Sequence, residues 1–273
     1  MDDVRKHWTE SAVEHGAALQ ATTKTWTAKT LEIDALARRF ADVLGGADSR
    51  GAVLEMGCGN GVNCLELAKS FPNLAFDGVD YVPEMVTGAE ENRAASPAAD
   101  RVRFFVGDAI GAGTIDGLEA EYDVVFTDRC LINLDKLDLQ KQAIAALAAK
   151  VRPGGHLLMI ENSTTTYNRQ NHYRELLGLE QRTPATFNLF FDEDEIRSYI
   201  ASIDLELVDV EDFISLHDLA LYVLVPAING GEVDYGHPLV EAATVLNKAV
   251  SAESRSAFGA AGQNRLFVCR RRS

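Results

Sequence analysis

The chain has 273 residues, four cysteines and a formal net charge of −15. That length buries a core unaided and favours one enlarged domain over two. The acidic surface repels phosphate backbones, which speaks against nucleic acid as partner, and no apolar run reaches the length of a membrane span.

The segment from Asp3 to Leu44 reads as helices, with Leu31, Ile33, Leu36, Phe40, Val43 and Leu44 at mostly helical spacing and Gly45-Gly46 as the stop. Alternating elements follow. Ala52 to Met56 is a short apolar strand, Asn63 to Lys69 a helix, Leu74 to Val79 a second strand and Val82 to Arg93 a helix. Val102 to Val106 and Asp123 to Thr127 are strands three and four, and Leu139 to Val151 is an alanine-rich helix. Arg152-Pro153-Gly154-Gly155 reads as a turn before a fifth strand, His156 to Glu161. Beyond it the regularity breaks at Ser163 to Leu189. A helix is expected at Asp192 to Ser202 and strands at Glu206 to Phe213 and Arg265 to Arg270. About fifty residues between those last strands are too many for a structureless loop, so helices around His217 to Val225 and Pro238 to Ser251 are expected to form a cap. Strand–helix alternation predicts a parallel sheet with helices on both faces and a ligand at the carboxyl ends of its strands. The cysteines show no CxxC spacing, so no metal site is expected. Met1-Asp2-Asp3-Val4-Arg5-Lys6-His7 lacks the order of a signal peptide, which points to the cytoplasm.

Glu55-Met56-Gly57-Cys58-Gly59-Asn60-Gly61 places a glycine turn directly after the first strand, and Gly78-Val79-Asp80 ends the second in an acid. Glycines let backbone approach a ligand closely, and an acid at this point can take both hydroxyls of a ribose. Val62 stands where the third glycine of a dinucleotide fingerprint would fall, which speaks against a nicotinamide oxidoreductase. The spacing resembles the first motif of the class I S-adenosylmethionine-dependent methyltransferases, strongly over residues 50 to 161. The resemblance implies a Rossmann-like, doubly wound, mostly parallel seven-stranded sheet. It implies S-adenosylmethionine as cofactor, S-adenosylhomocysteine as product and no metal. By the same resemblance Glu55 orients the methionine amino group and Gly57, Gly59, Asn60 and Gly61 form the cofactor loop. Asp80 takes the ribose, Tyr81 and Met85 line the adenine pocket, and Asp108 with Ala109 meets the adenine amino group.

Asp128-Arg129-Cys130-Leu131-Ile132-Asn133-Leu134 lies where such enzymes hold the transferable methyl, and it lacks the signature of amino-methylating DNA enzymes. Asp128 and Arg129 read equally as a salt-bridged pair and as a cofactor or substrate contact. With Gln140, this loop is similar to a bacterial subgroup acting on specialised metabolites or surface sugars. So is the segment around Ala21-Thr22-Thr23, which implies that residues 1–46 form a helical lid, with Trp8 or Trp26 packed on it. Residues 47–273 are then the catalytic domain, with substrate-side insertions at about 163–189 and 214–262. His217 and His172 are the candidates for taking the acceptor proton, since imidazole suits proton transfer near neutrality. The expected reaction is methyl transfer to an O, N or C nucleophile of a small polar metabolite, by a monomer or homodimer. The rival readings are aminopropyl transfer on the same scaffold, which the Asp128–Arg129 pairing weakens, and cofactor binding without turnover.

Overall fold

The computed structural model describes residues 2–273. Seven strands form one sheet: β1 (Gly51–Met56), β2 (Leu74–Asp80), β3 (Val102–Val106), β4 (Tyr122–Asp128), β5 (Val151–Asn162), β6 (Leu205–Glu211) and β7 (Asn264–Arg271), in the order β3-β2-β1-β4-β5-β7-β6. The strands from β1 to β5 pair parallel, while β7 runs antiparallel to both its neighbours. The strand order reverses beside β1, so the carboxyl ends of β1 and β4 flank the crevice where ligands sit in such sheets.

Side-chain alternation along the strands divides the core into two layers. Val53, Phe76, Val124, Phe126, Leu158, Ile160, Leu266 and Val268 face one way. They pack against α2 (Trp26–Leu44), α3 (Val62–Ser70) and α4 (Pro83–Ala94), with Phe40 of α2 centred on Phe71, Phe76 and Phe126. Leu54, Met56, Val125, Leu157, Met159 and Phe267 face the other way. They meet α5 (Leu137–Lys150) and α7 (Glu193–Ser202), the latter capped by Asp192.

Three sequence-based expectations change. The Arg152–Gly155 turn lies inside β5: Tyr122 pairs with Val151 and Val124 with His156, so the residues between them bulge out of a ladder that continues on both sides. The sixth strand stops at Glu211, because Asp212 turns its carboxylate onto the amides of Ile214 and Ser215 and starts a new bend. The proposed lid over 1–46 splits in two. The first helix, α1 (Asp2–His15), and the short turn Leu19–Ala21 form a small cluster with Val82 and Met85, whereas α2 is part of the main core.

Between β5 and α7 lies α6 (Thr164–Leu176). Between β6 and β7 come α8 (Ser215–Leu219), a π turn (Ala220–Leu224), α9 (Val225–Ile228), α10 (Pro238–Ala249) and α11 (Ala252–Arg255). Among the described residues no helix is long and apolar enough to cross a membrane.

Candidate active site

A cavity of about 230 Å³ opens at the carboxyl ends of β1, β2, β3 and β4. Its floor begins with the glycine turn. Gly57, Gly59 and Gly61 all have positive φ, a region that side chains rarely adopt. A Cβ at Gly59 would collide with Thr22 and one at Gly57 with the Cys130 sulfur, so neither position tolerates a side chain.

Asp80 closes the turn from the second strand. Its Oδ2 accepts the Gly59 amide at 2.9 Å and its Oδ1 the Val82 amide at 3.0 Å. The carboxylate both caps the chain ahead of α4 and lines the cavity. Burial pushes its pKa up to about 6, against the pull of those amides. Tyr81, Met85, Asp108 and Ala109 also line this end, and the buried Tyr81 hydroxyl has no hydrogen-bond partner among the described residues. Asn60 lines it too but turns its amide outward, donating to the Ala17 and Ala18 carbonyls and tying down the N-terminal segment. Trp8 of α1 reaches across to donate to Asn133 Oδ1 at 3.1 Å. Trp26 is half exposed at the start of α2 and does not line the cavity.

Glu55 lies beneath the cavity. Fully buried, it accepts from Asn63 Nδ2 at 2.8 Å and from the Cys64 thiol at 3.0 Å, and burial pushes its carboxyl up to about 8. Asn63, which does line the cavity, stands between Glu55 and any ligand.

The opposite end is built on ion pairs. Asp128 accepts Lys29 Nζ at 2.6 Å and Asn63 Nδ2 at 3.0 Å. Lys29 also meets Glu32 at 2.7 Å, and Arg129 Nε lies 3.2 Å from Glu32 and 3.5 Å from Asp128. Two cations thus face two carboxylates in a buried cluster that joins α2 to the end of β4. Lys29 and Arg129 hold Asp128 down near 2 despite its burial. Arg129 adopts a left-handed φ of 56°, the one non-glycine residue to do so among those described. That strain is borne by contacts on each side, including the bond from Arg129 Nη2 to Thr23 Oγ1 at 2.6 Å.

Several residues of this end carry no motif. Glu161, at the end of β5, accepts Thr127 Oγ1 at 2.7 Å and the consecutive amides of Cys130, Leu131 and Ile132 at 3.0–3.2 Å. One buried carboxyl, pushed up to about 7 by burial, therefore sets the course of the whole loop after β4. An acid closing an apolar strand is the signal that also marks Asp80, and it was present at Leu157-Leu158-Met159-Ile160-Glu161. Lys29 and Glu32 gave no such signal, since charges three residues apart on a helix normally read as a solvated face.

The two histidines are placed elsewhere. His172 is exposed on α6, its ring 6.1 Å from that of Tyr173. His217 is buried in α8, with Nδ1 2.8 Å from Asp218 Oδ1 and Nε2 3.4 Å from Thr27 Oγ1, turned toward α2. Neither lines the cavity, and neither does any other histidine. Of the two expected insertions, 163–189 contributes Asn188 to the cavity wall; 214–262 contributes no lining residue and instead packs behind it, against α2 and α6.

Residues 47–201 match a family profile described as a methyltransferase domain. Malonyl-[acyl-carrier protein] O-methyltransferase of Halalkalibacterium halodurans is 32% identical over 111 residues, 41% of this chain and 39% of that protein. The chain thus matches about two fifths of that relative's length. Among solved structures, magnesium protoporphyrin IX methyltransferase from Synechocystis PCC 6803, with bound S-adenosylhomocysteine, superposes with a TM-score of 0.55 at 15% identity, covering 88% of this chain and 82% of that one. A putative sarcosine dimethylglycine methyltransferase from Galdieria sulphuraria superposes with a TM-score of 0.56 at 14% identity over 99% and 98% of the two chains. At these identities the structural likeness speaks for the fold.

Proposed function

The chain belongs to the methyltransferase-domain family, whose methyl donor is S-adenosylmethionine, and on that premise we propose that it methylates an O, N or C nucleophile of a small polar metabolite. The observation that carries this reading is one cavity with two unlike ends: a glycine-and-carboxylate end under β1–β3 and a polar end at β4, β5 and β7. The first end fits the cofactor. Backbone there comes close without side chains, Asp80 lines the cavity while held by two amides, and the buried Tyr81 hydroxyl has no partner among the described residues. Asp80 would take the ribose, Asp108 with Ala109 the adenine edge, and Tyr81 and Met85 its face. Glycines 57, 59 and 61 would border the methionine part, with Asn63 and Asp128 near its ammonium.

When bound, S-adenosylmethionine supplies an electrophilic methyl whose bonding pair leaves with sulfur. The protein's own part is orientation. Glu161 fixes the loop from Cys130 to Ile132, the ion-paired cluster fixes Asp128 and Arg129, and α1 contributes Val4 and Trp8 to the cavity wall. Holding donor and acceptor in line supplies much of the rate. Residues Asp2 to Thr23 would act as the lid, and the segment around Asn188 as part of the acceptor wall. Transfer of labelled methyl from S-adenosylmethionine into a metabolite extract tests the reading. A labelled small product supports it, whereas label in no small molecule, with cofactor bound, overturns it.

A further inference from the structure

Among the described residues, each charge at the β4 end of the cavity is already matched by an opposite one. Lys29 and Arg129 are matched by Glu32 and Asp128. The carboxamides of Asn162, Asn188 and Gln263 are among those that line the wall there. An amide side chain normally leaves open which end faces a ligand. Here charged anchors decide it, because a carboxylate accepts only and a guanidinium donates only.

The first anchor is Glu32. Held between Lys29 and Arg129, it accepts Asn264 Nδ2 at 2.9 Å, which leaves Asn264 Oδ1 to accept Asn162 Nδ2 at 2.7 Å. Asn162 is left with its carbonyl oxygen unused. The second anchor is Arg182. Its Nη1 donates to Gln170 Oε1 at 3.0 Å, its guanidinium lies 3.6 Å from the centre of the Tyr222 ring, and its Nη2 donates to Gln263 Oε1 at 3.1 Å. Gln263 is left with its NH2 unused. Asn188 adds a buried Oδ1 with no partner. The wall therefore presents an acceptor from Asn162 and a donor from Gln263, both uncharged.

We propose that the methyl acceptor is an uncharged molecule carrying a hydrogen-bond donor beside a hydrogen-bond acceptor, such as a pair of hydroxyls or a hydroxy-amide, gripped by Asn162 Oδ1 and Gln263 Nε2. This rests on the reading of the cavity as a methyltransferase site. A carboxylate entering here loses its hydration and meets the Asn162 carbonyl oxygen, an ammonium meets the Gln263 NH2, and the charges nearby are already paired with one another. A site built around paired polar groups rejects ligands that leave those groups unmatched.

The test uses the full chain saturated with S-adenosylhomocysteine and ligand-observed NMR on size-matched fragments: neutral diols and hydroxy-amides, carboxylates, and primary amines. Neutral fragments should bind best. Gln263→Glu keeps an oxygen for Arg182 but replaces the donor with an acceptor, and should weaken neutral fragments by about tenfold or more, with S-adenosylhomocysteine affinity and Tm retained. Gln263→Met, which removes the donor without adding charge, should weaken them as well and serves if Gln263→Glu melts early. Carboxylates or amines binding as well as neutral fragments would overturn the proposal, as would unchanged neutral binding in both variants. Failure of S-adenosylhomocysteine to bind the parent chain would overturn the methyltransferase reading, and this proposal with it.

Discussion

The two ends of the cavity are built by different means. At the cofactor end the key contacts are short in sequence and run through backbone: Asp80 reaches the Gly59 amide 21 residues away and the Val82 amide two residues away. At the β4 end, apart from the Glu161 carboxylate on the loop amides, the contacts run between side chains from remote segments. Lys29 meets Asp128 across 99 positions and Glu32 meets Asn264 across 232. Backbone-made sites depend on local conformation, so a few residues specify them. Sites made of side-chain networks depend on the fold having closed, and each member matters to its partners.

The difference predicts opposite responses to mutation. The largest effect is expected at Lys29→Met. It leaves Asp128 and Glu32 buried with Arg129 as their remaining cation, and breaking such a cluster should cost about 3–5 kcal/mol of stability by denaturant unfolding. A loss under about 1 kcal/mol would mean that the cluster is solvated and the contrast between the two ends is weaker than drawn. Asp80→Ala should act in the reverse sense. The fold should persist, while S-adenosylmethionine affinity falls by about 1–3 kcal/mol through unpaired ribose hydroxyls, read by calorimetry. Gly59→Val should be worse still for binding, since the new side chain meets Thr22.

A smaller effect concerns pH. Burial raises Glu55 to about 8 and Glu161 to about 7. A folded pKa above the unfolded value of about 4.5 means that the folded chain holds its proton more tightly. The stability this confers is whole below pH of about 4.5 and is lost as pH rises through about 7 to 8. Thermal stability should therefore fall across that window, and Glu55→Gln should flatten the fall; an equally steep slope in the variant would contradict the assignment. The smallest effect is expected at His172→Ala, which should leave the methyl-transfer rate and its pH profile as they are. A lost ionisation near neutrality would return that histidine to the site.

What the sequence disclosed follows the same division. The alternating elements, the glycine turn and Asp80 were legible because period and spacing along one stretch of chain determine them. Asn162, Gln263 and Glu32 were not, because an amide at the end of a strand or an acid within a helix has no meaning until β5, β7 and α2 are side by side. The placement of His217 was not legible for the same reason. Its neighbours Asp218 and Tyr222 suggested a buried general base, but the helix carrying them turns the imidazole onto Thr27 of α2.

The central claim is that the β1–β3 end of the cavity holds the cofactor and that Asp80 grips it. Titration of S-adenosylhomocysteine into the parent chain and into Asp80→Ala, followed by calorimetry, tests it most directly. The account predicts one-to-one binding to the parent without added metal, and affinity weakened by about tenfold or more in a folded Asp80→Ala variant. No heat from the parent at millimolar ligand, or the same affinity in both proteins, would contradict it.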